Sequence, residues 1–192
     1  MLTFEVISGE MVISDPCYTI ETTSWEFGVI NARNGIWITD KFMVGNDIKE
    51  ICAYNNDAAI NDPGLLSDLF NAPPLPFINS VDSAQLVYFD RQYYRNDQSI
   101  NTQSKDDSGE LWYEALCDIT NSKEAFGVLP NGVVTMTGRG DGAYVTQAIF
   151  DKDKLCIGLR TEFIKDKYIE DDDDWWETSD ETPEPEDDED EE

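Results

Sequence analysis

FGVLPNGVVTMTGRGDGAY, residues 126–144, contains the clearest structural signals in this chain. Asn131-Gly132 stands between two apolar runs, and Asn-Gly favours a β-hairpin because both residues tolerate the positive φ of a type I′ turn. Glycines then occupy alternate positions, at Gly138, Gly140 and Gly142, before a new β-rich run begins at Tyr144. Alternating glycines permit tight or left-handed backbone and close approach by a neighbour. The segment therefore predicts a hairpin followed by a bulge or tight bend.

Similar signals occur on both sides of this segment. Asn34-Gly35 separates the apolar runs 27–32 and 36–39, which predicts a second hairpin. Further β-rich runs are found at residues 2–7, 11–13, 48–54, 84–89, 111–119, 144–150 and 155–163. Only residues 62–70 show a short helical pattern, for which a connecting loop with one or two turns of helix is the alternative. About nine or ten short strands separated by turns predict an all-β fold, a mainly antiparallel sandwich or barrel-like sheet.

The charge of the chain is strongly negative. Asp and Glu total 41 against 13 Lys and Arg, a formal net charge of −28. Residues 170–192 contain 16 acidic residues and no basic one, which leaves 25 acids against 13 bases in residues 1–169. We therefore expect a β-rich globular domain over 1–169 and a disordered acidic tail over 170–192. Such a chain is repelled by phosphate, which disfavours direct binding of nucleic acid or anionic membranes and favours basic proteins as partners.

Two residue types limit the chemistry that the chain can perform. There is no histidine, and the four cysteines form no C-x-x-C pair, so metal-site spacing and histidine-dependent triads are absent from the sequence. We expect no cofactor and no bound metal. The N-terminus lacks the pattern of a signal peptide, and no apolar run is long enough to span a membrane. These features predict a cytoplasmic protein with reduced thiols.

Asp15 and Asp141 are the candidates for catalysis. Each follows a predicted strand and lies near an aromatic residue, Tyr18 or Tyr144. If the two turns meet, the carboxylates would form a pair suited to acid–base chemistry or to a hard cation. The alternative is that each aspartate caps its own turn through local hydrogen bonds. The candidate binding residues in the two turns are Asp15, Cys17, Tyr18, Gly138, Arg139, Gly140, Asp141, Gly142 and Tyr144.

Glycine spacing alone does not support a phosphate-binding loop at residues 138–142. The dinucleotide motif needs a following helix and a later third glycine, and Walker A needs Gly-Lys-Ser/Thr. The tail provides a different binding candidate. Trp175 and Trp176 follow four acids, Asp171, Asp172, Asp173 and Asp174, and tryptophan is enriched in binding hot spots. They form either an interaction motif or the last residues packed on the domain.

Two segments together resemble a group of small, mostly uncharacterised β-rich proteins of bacteria and their viruses. The group shares an SDPCY … GDGxY signature. Here the first segment is Ser14-Asp15-Pro16-Cys17-Tyr18, after Ser8-Gly9 and Val12-Ile13. The second is Gly138 to Tyr144, after Phe126-Gly127-Val128. The resemblance implies a β-rich fold in which the two motifs lie together, and it implies no activity.

Three functions are compatible with these observations. The first is a non-catalytic, phage-encoded acidic protein in the host cytoplasm, which inhibits a host defence or toxin protein by occupying its basic nucleic-acid-binding surface as a DNA mimic. The second is a small enzyme or cation-binding protein with a carboxylate site at Asp15 and Asp141. The third is a structural or accessory protein whose tail only maintains solubility. The charge balance favours the first.

Overall fold

Most of the chain before the acidic tail forms two antiparallel sheets. A computed structural model describes residues 1–20, 28–103 and 108–165. The strands of sheet A are β1 Leu2–Val6, β4 Gly35–Val44, β5 Asp47–Asn55, β6 Pro74–Val81, β10 Gly142–Phe150 and β11 Cys156–Glu162. Their spatial order is β1-β4-β5-β11-β10-β6. The strands of sheet B are β2 Glu10–Ser14, β3 Gly28–Asn31, β7 Gln85–Asp90, β8 Phe126–Leu129 and β9 Gly132–Met136. Their spatial order is β3-β2-β7-β9-β8.

The two sheets pack face to face, which confirms the predicted all-β class as a sandwich. The main core joins large side chains of sheet A, such as Trp37 and Leu159, to those of sheet B, such as Ile13 and Tyr88. Sheet B is buried on both faces. Leu86 and Tyr88 of β7 face the main core, whereas the alternate residues Val87 and Phe89 belong to a second cluster on the outer face. This explains why its central strands are continuously apolar.

A helix that was predicted as a strand covers the outer face of sheet B. Residues 111–119 lie in α3, Glu110–Thr120, so the strand prediction is wrong. Trp112, Leu116 and Thr120 recur every four residues and are buried, as expected for one face of a helix. The Asp97 carboxylate accepts a hydrogen bond from the Trp112 backbone N–H at 3.0 Å and so satisfies a donor in the first turn.

Two shorter helices lie against sheet A. They are α1, Asn56–Asn61, and α2, Leu65–Leu69. The second lies within residues 62–70 and is only five residues long, so it agrees both with the predicted short helix and with a connecting loop that contains one or two turns of helix. Leu65 and Leu69 are buried, in two small clusters with side chains of β5, β10 and β11. The next strand, β6, was missed because three prolines occur among residues 73–76. Its position at the edge of sheet A explains how these prolines are tolerated.

The hairpin predicted at Asn131-Gly132 is confirmed, with its turn shifted by one residue. Strands β8 and β9 pair with Leu129 opposite Gly132, so Pro130 and Asn131 are the two central turn residues. Neither Asn131 nor Gly132 has a positive φ, so the turn is not of type I′. Proline fixes φ near −65°, which suits the first central position of a type I or II turn.

The hairpin predicted at Asn34-Gly35 is wrong. Strand β3 pairs with β2 in sheet B, whereas β4 pairs with β1 and β5 in sheet A, so the chain crosses between sheets at this point. The crossing is held by the Arg33 backbone N–H, which donates to the Cys156 carbonyl at 3.0 Å. Arg33 also forms an ion pair with Asp151 at 3.1 Å. These partners lie more than a hundred residues away and leave no local signal.

Candidate functional site

The Asp15 carboxylate is a buried anchor for the turn that connects the two sheets. Residues 82–84 join β6 of sheet A to β7 of sheet B. Oδ2 of Asp15 accepts from the backbone N–H groups of Asp82 at 2.8 Å and Ser83 at 2.7 Å. Oδ1 accepts from the Ser83 hydroxyl at 2.6 Å and from the Cys17 N–H at 2.8 Å. The side chain is fully buried, so its charge is balanced by four donors rather than by solvent.

Asp141 holds the same turn from the other side. Its Oδ1 accepts from the backbone N–H of Ala84 at 3.0 Å. The Ala84 carbonyl in turn accepts from the Thr137 N–H at 2.8 Å, and Ala84 has a left-handed φ of 56°. Asp15 and Asp141 therefore bind consecutive residues of one turn. This confirms the expectation that the segments around Ser14–Tyr18 and Gly138–Tyr144 lie near one another.

Two roles were considered for these aspartates, a carboxylate pair for acid–base chemistry or cation binding and local caps of their own turns. The bond from Cys17 to Asp15 is the expected local Asx turn, whereas the other three donors to Asp15 are 67 or 68 residues away. Asp141 bonds 57 residues away rather than within its own turn. Both oxygens of Asp15 are already occupied inside the protein, which leaves no lone-pair direction open to a substrate. The geometry supports a structural clamp rather than an acid–base pair.

Residues from the loop after β7 fix the Asp15–Tyr18 segment. The Tyr94 hydroxyl, on a buried side chain, shares its single proton between the carbonyl oxygens of Tyr18 at 2.7 Å and Asp15 at 3.1 Å. Arg95 donates from Nη1 to the Pro16 carbonyl at 2.8 Å. Sequence reasoning missed both residues, because they lie more than 70 positions away and belong to no motif.

Tyr18 and Tyr144 stabilise the two turns in similar ways. The Tyr18 hydroxyl donates to Asp82 Oδ2 at 2.6 Å, and this hydrogen bond raises the pKa of Tyr18 above its ordinary value. The Tyr144 hydroxyl donates to the Gly140 carbonyl at 2.7 Å. The Thr137 hydroxyl donates to the same oxygen. The glycine segment is therefore a tight bend that connects β9 of sheet B to β10 of sheet A. A tight bend was one of the two predicted structures, and a bulge was the other.

The thiols do not form a reactive or metal-binding set. Cys52 and Cys156 are buried in strands, Cys17 is half-buried, and Cys117 is half-buried on α3. Burial, followed by a hydrogen bond to Asp15 and the Asp15 charge, raises the pKa of Cys17 to about 12. Such a thiol is a poor nucleophile at neutral pH. Among the described residues, no group of three or more Asp, Glu, Cys or His side chains is arranged to hold a metal ion.

Cys156 should make folding sensitive to alkaline pH. Burial raises the pKa of this thiol from 9.0 to about 12. Above pH 9 the unfolded chain therefore loses a proton that the folded chain keeps, so the contribution to stability is full below pH 9 and is lost as pH rises toward 12. The slope should reach about 1.4 kcal/mol per pH unit. Urea unfolding should show a shallower decline above about pH 9 for Cys156→Ala than for the wild type. Parallel curves up to about pH 11 would contradict the prediction.

A row of carboxylates on α3 is the most regular charged feature that sequence reasoning missed. Glu110, Glu114 and Asp118 recur every four residues and are all exposed, on the side opposite Trp112 and Leu116. At about 1.5 Å rise per residue, successive carboxylate positions lie about 6 Å apart along the axis. The last turn of α3 carries no basic residue. The four-residue spacing in the sequence was the available signal.

A groove on sheet A concentrates basic side chains. It has a volume of about 470 Å³ and lies beside the glycine bend and the strands β10 and β11. Three cations line it, Arg139, Arg160 and Lys165, together with the carboxylate of Glu162. Of the candidate binding residues, Arg139 and Tyr144 contribute to this groove, whereas Asp15, Cys17 and Tyr18 do not line it.

The candidates in the acidic tail lie outside the described residues. These are Asp171, Asp172, Asp173, Asp174, Trp175 and Trp176. None of the helices in the described part of the chain has the length and apolarity needed to cross a membrane. Comparison of the chain with protein families, with curated proteins and with solved structures finds no match.

Proposed function

We propose that this protein is a non-catalytic acidic binding protein that occupies a basic, nucleic-acid-binding surface of another protein. The observation that carries the proposal is the row of exposed carboxylates on α3, Glu110, Glu114 and Asp118. A rigid helix presents these charges at regular spacing on one face. Such a surface is complementary to a cleft lined by lysine and arginine.

The charge pattern of α3 is favourable only at its N-terminal end, where Glu110 lies in the first turn, and it opposes the stability of the helix in two other respects. Like charges four residues apart destabilise a helix by about 0.2–0.5 kcal/mol per pair, and α3 contains two such pairs. Asp118 also lies near the C-terminal end, where the helix dipole disfavours a negative charge. No cation in the last turn offsets this. A pattern that lowers helix stability is easier to explain as a binding surface than as a solubilising one.

The net charge limits the class of partner. At −28 the chain repels nucleic acid and anionic membranes, so the partner is a basic protein that itself binds nucleic acid. The 16 acids of residues 170–192 extend the attraction over a Debye length of about 10 Å at 0.1 M salt and increase the association rate. The resemblance of the SDPCY and GDGAY segments to proteins of bacteria and their viruses is compatible with a phage origin, and a host defence or toxin protein is the partner that we propose on that basis.

The alternative functions have less support. An enzyme or cation site at Asp15 and Asp141 would need free carboxylate oxygens, but Asp15 is buried with four donors. An accessory protein with a solubility tail would not need ordered carboxylates on α3. It remains the outcome to be expected if neutralising α3 has no effect.

The test is capture of proteins from a bacterial lysate by the full chain and by two matched triple variants. Neutralising α3 with Glu110→Gln, Glu114→Gln and Asp118→Asn should weaken capture of a basic protein by about tenfold at 0.1 M salt. The control variant neutralises three exposed acids on the opposite layer, Asp47→Asn, Asp57→Asn and Asp68→Asn, and should bind like the wild type. Duplex DNA should displace the captured protein. Equal binding by both variants, or no competition by DNA, would refute the proposal.

A further inference from the structure

The groove on sheet A concentrates basic side chains in a chain that is acidic overall. Three of the 13 basic residues, Arg139, Arg160 and Lys165, line it, against one lining carboxylate, Glu162. Exposed side chains of Pro74, Ala143 and Val145 form part of its apolar lining. The groove therefore combines positive charge with apolar surface, in a chain whose formal net charge is −28.

Arg160 is fixed in one orientation by its neighbours. Its Nε donates to Glu50 Oε2 at 2.9 Å, and its Nη1 donates to Gln147 Oε1 at 2.6 Å. The guanidinium lies 5.0 Å from the centroid of the Phe70 ring, within cation–π distance. Arg160 forms ion pairs with Glu50 and, at 3.5 Å, with Glu162. Because these carboxylates neutralise much of its charge, Arg160 provides mainly a rigid, planar surface. Arg139 and Lys165, which are exposed, provide the charge that an anionic ligand would meet.

An exposed aromatic pair continues the groove beyond Arg160. Phe70 is 44% exposed and contacts Phe42, which is 43% exposed, edge to face at a centroid distance of 6.2 Å. Two phenylalanines with this much exposure are an apolar surface that a binding partner can cover. The chemistry that fits the whole surface is an acidic segment with aromatic side chains.

We propose that this groove and the Phe42–Phe70 pair bind the chain's own segment Asp171–Trp176. The segment has that composition, four aspartates followed by two tryptophans. It also begins six residues after Lys165, which lines the groove and ends the described part of the chain. The aspartates meet Arg139 and Lys165, and the tryptophans cover the phenylalanine pair.

The length of the connection suits this contact. Trp175 follows Lys165 by ten positions, and random-coil statistics give a chain of ten residues a root-mean-square span of about 17 Å. The distance from Arg160 to Lys165 is at most about 17 Å, the value for five fully extended residues. A tether of this length gives the segment an effective concentration on the order of millimolar at the groove, so weak surface contacts suffice to keep it bound there.

The docked tail would act as an internal competitor. A basic partner must take the tail away from the groove before the aspartates and tryptophans become available to it. The contact is intramolecular and does not depend on the proposed function, because it requires no partner protein.

The test places the photoreactive residue p-benzoylphenylalanine at position 176 of the full chain. Irradiation at about 0.05 M salt should crosslink it to groove segments around residues 139–147 and 160–165 or to Phe42 and Phe70, and about 1 M salt should abolish the crosslink. Arg139→Ser with Lys165→Ser should reduce the yield by about three- to tenfold. The matched control, Lys152→Ser with Lys154→Ser, removes two exposed cations from the turn between β10 and β11 and should leave the yield unchanged.

Three results would overturn the proposal. They are crosslinks spread over the surface, an equal loss of yield in both double variants, and a crosslink between two chains that increases with protein concentration. The last would identify a second copy of the protein as the occupant. None of these results bears on capture of a basic partner through α3, so the two proposals fail independently.

Discussion

Asp15→Ala should lower the free energy of unfolding by about 4 kcal/mol. The substitution removes a buried carboxylate and leaves the N–H groups of Cys17, Asp82 and Ser83 without their acceptor. Each buried donor left unpaired costs about 1–3 kcal/mol, and access of water to the loosened turn recovers part of the sum. Thermal unfolding should shift down by about 10 °C. Chemical denaturation of the full chain, monitored by the buried tryptophans Trp37 and Trp112, measures the loss.

Asp141→Ala is the matched control for this prediction. It removes the same type of side chain, which binds the same turn at residues 82–84, but Asp141 is exposed and accepts only the Ala84 N–H. Its cost should be about 1 kcal/mol. Asp15→Asn, which keeps one acceptor oxygen, should fall between the two and provides a measurement if Asp15→Ala does not fold. If the two alanine variants lost the same free energy of unfolding, Asp15 would not be the main anchor of the turn. A carboxylate site at Asp15 and Asp141 would then have to be considered again.

Gly138→Ala should destabilise the protein by about 3 kcal/mol or more. A Cβ at this position would lie 2.2 Å from the Ile48 carbonyl oxygen and 2.9 Å from Ile164 Cδ1. The oxygen belongs to the backbone of sheet A, so it cannot move aside as a flexible side chain would. The close approach therefore requires glycine. Denaturant unfolding of the variant measures the cost.

The other two glycines of the bend provide graded controls. Gly140 has a φ of +77°, and an added Cβ there would meet no atom within 4 Å, so Gly140→Ala should cost only the strain of left-handed backbone, about 1 kcal/mol. At Gly142 the nearest atom to an added Cβ is 3.5 Å away, on Tyr144, so Gly142→Ala should change stability by less than about 0.5 kcal/mol. A different order among the three variants would contradict the geometry of the bend.

The sequence by itself determined the features that depend on neighbouring residues. Short β-branched runs separated by turn residues predicted the all-β class, and the apolar runs around Asn131-Gly132 predicted the pairing of β8 with β9. The net charge followed from the numbers of acidic and basic residues. These properties are local or additive, so they do not depend on which distant segment packs against which. The signature shared by the two turns was non-local, and the expectation that they meet came from the resemblance.

Tertiary structure decided the features for which local signals were ambiguous. Asn34-Gly35 has the same dipeptide and flanking pattern as Asn131-Gly132, yet β3 and β4 belong to different sheets. Residues 111–119 contain apolar and aromatic residues that suit a strand, but the outer face of sheet B buries Trp112 and Leu116 on a helix. In both cases packing against a distant surface outweighed a local preference.

The site depended most on tertiary structure. Asp15 was selected from its motif, but its role follows from donors 67 and 68 residues away, which bury it and occupy both its oxygens. The groove around Arg139 forms only because β10 and β11 place Arg160 and Lys165 beside the glycine bend. A sequence shows which charges are present. Only the pairing of strands shows which of them meet, because contacts across a sandwich join residues whose separation along the chain carries no periodic signal.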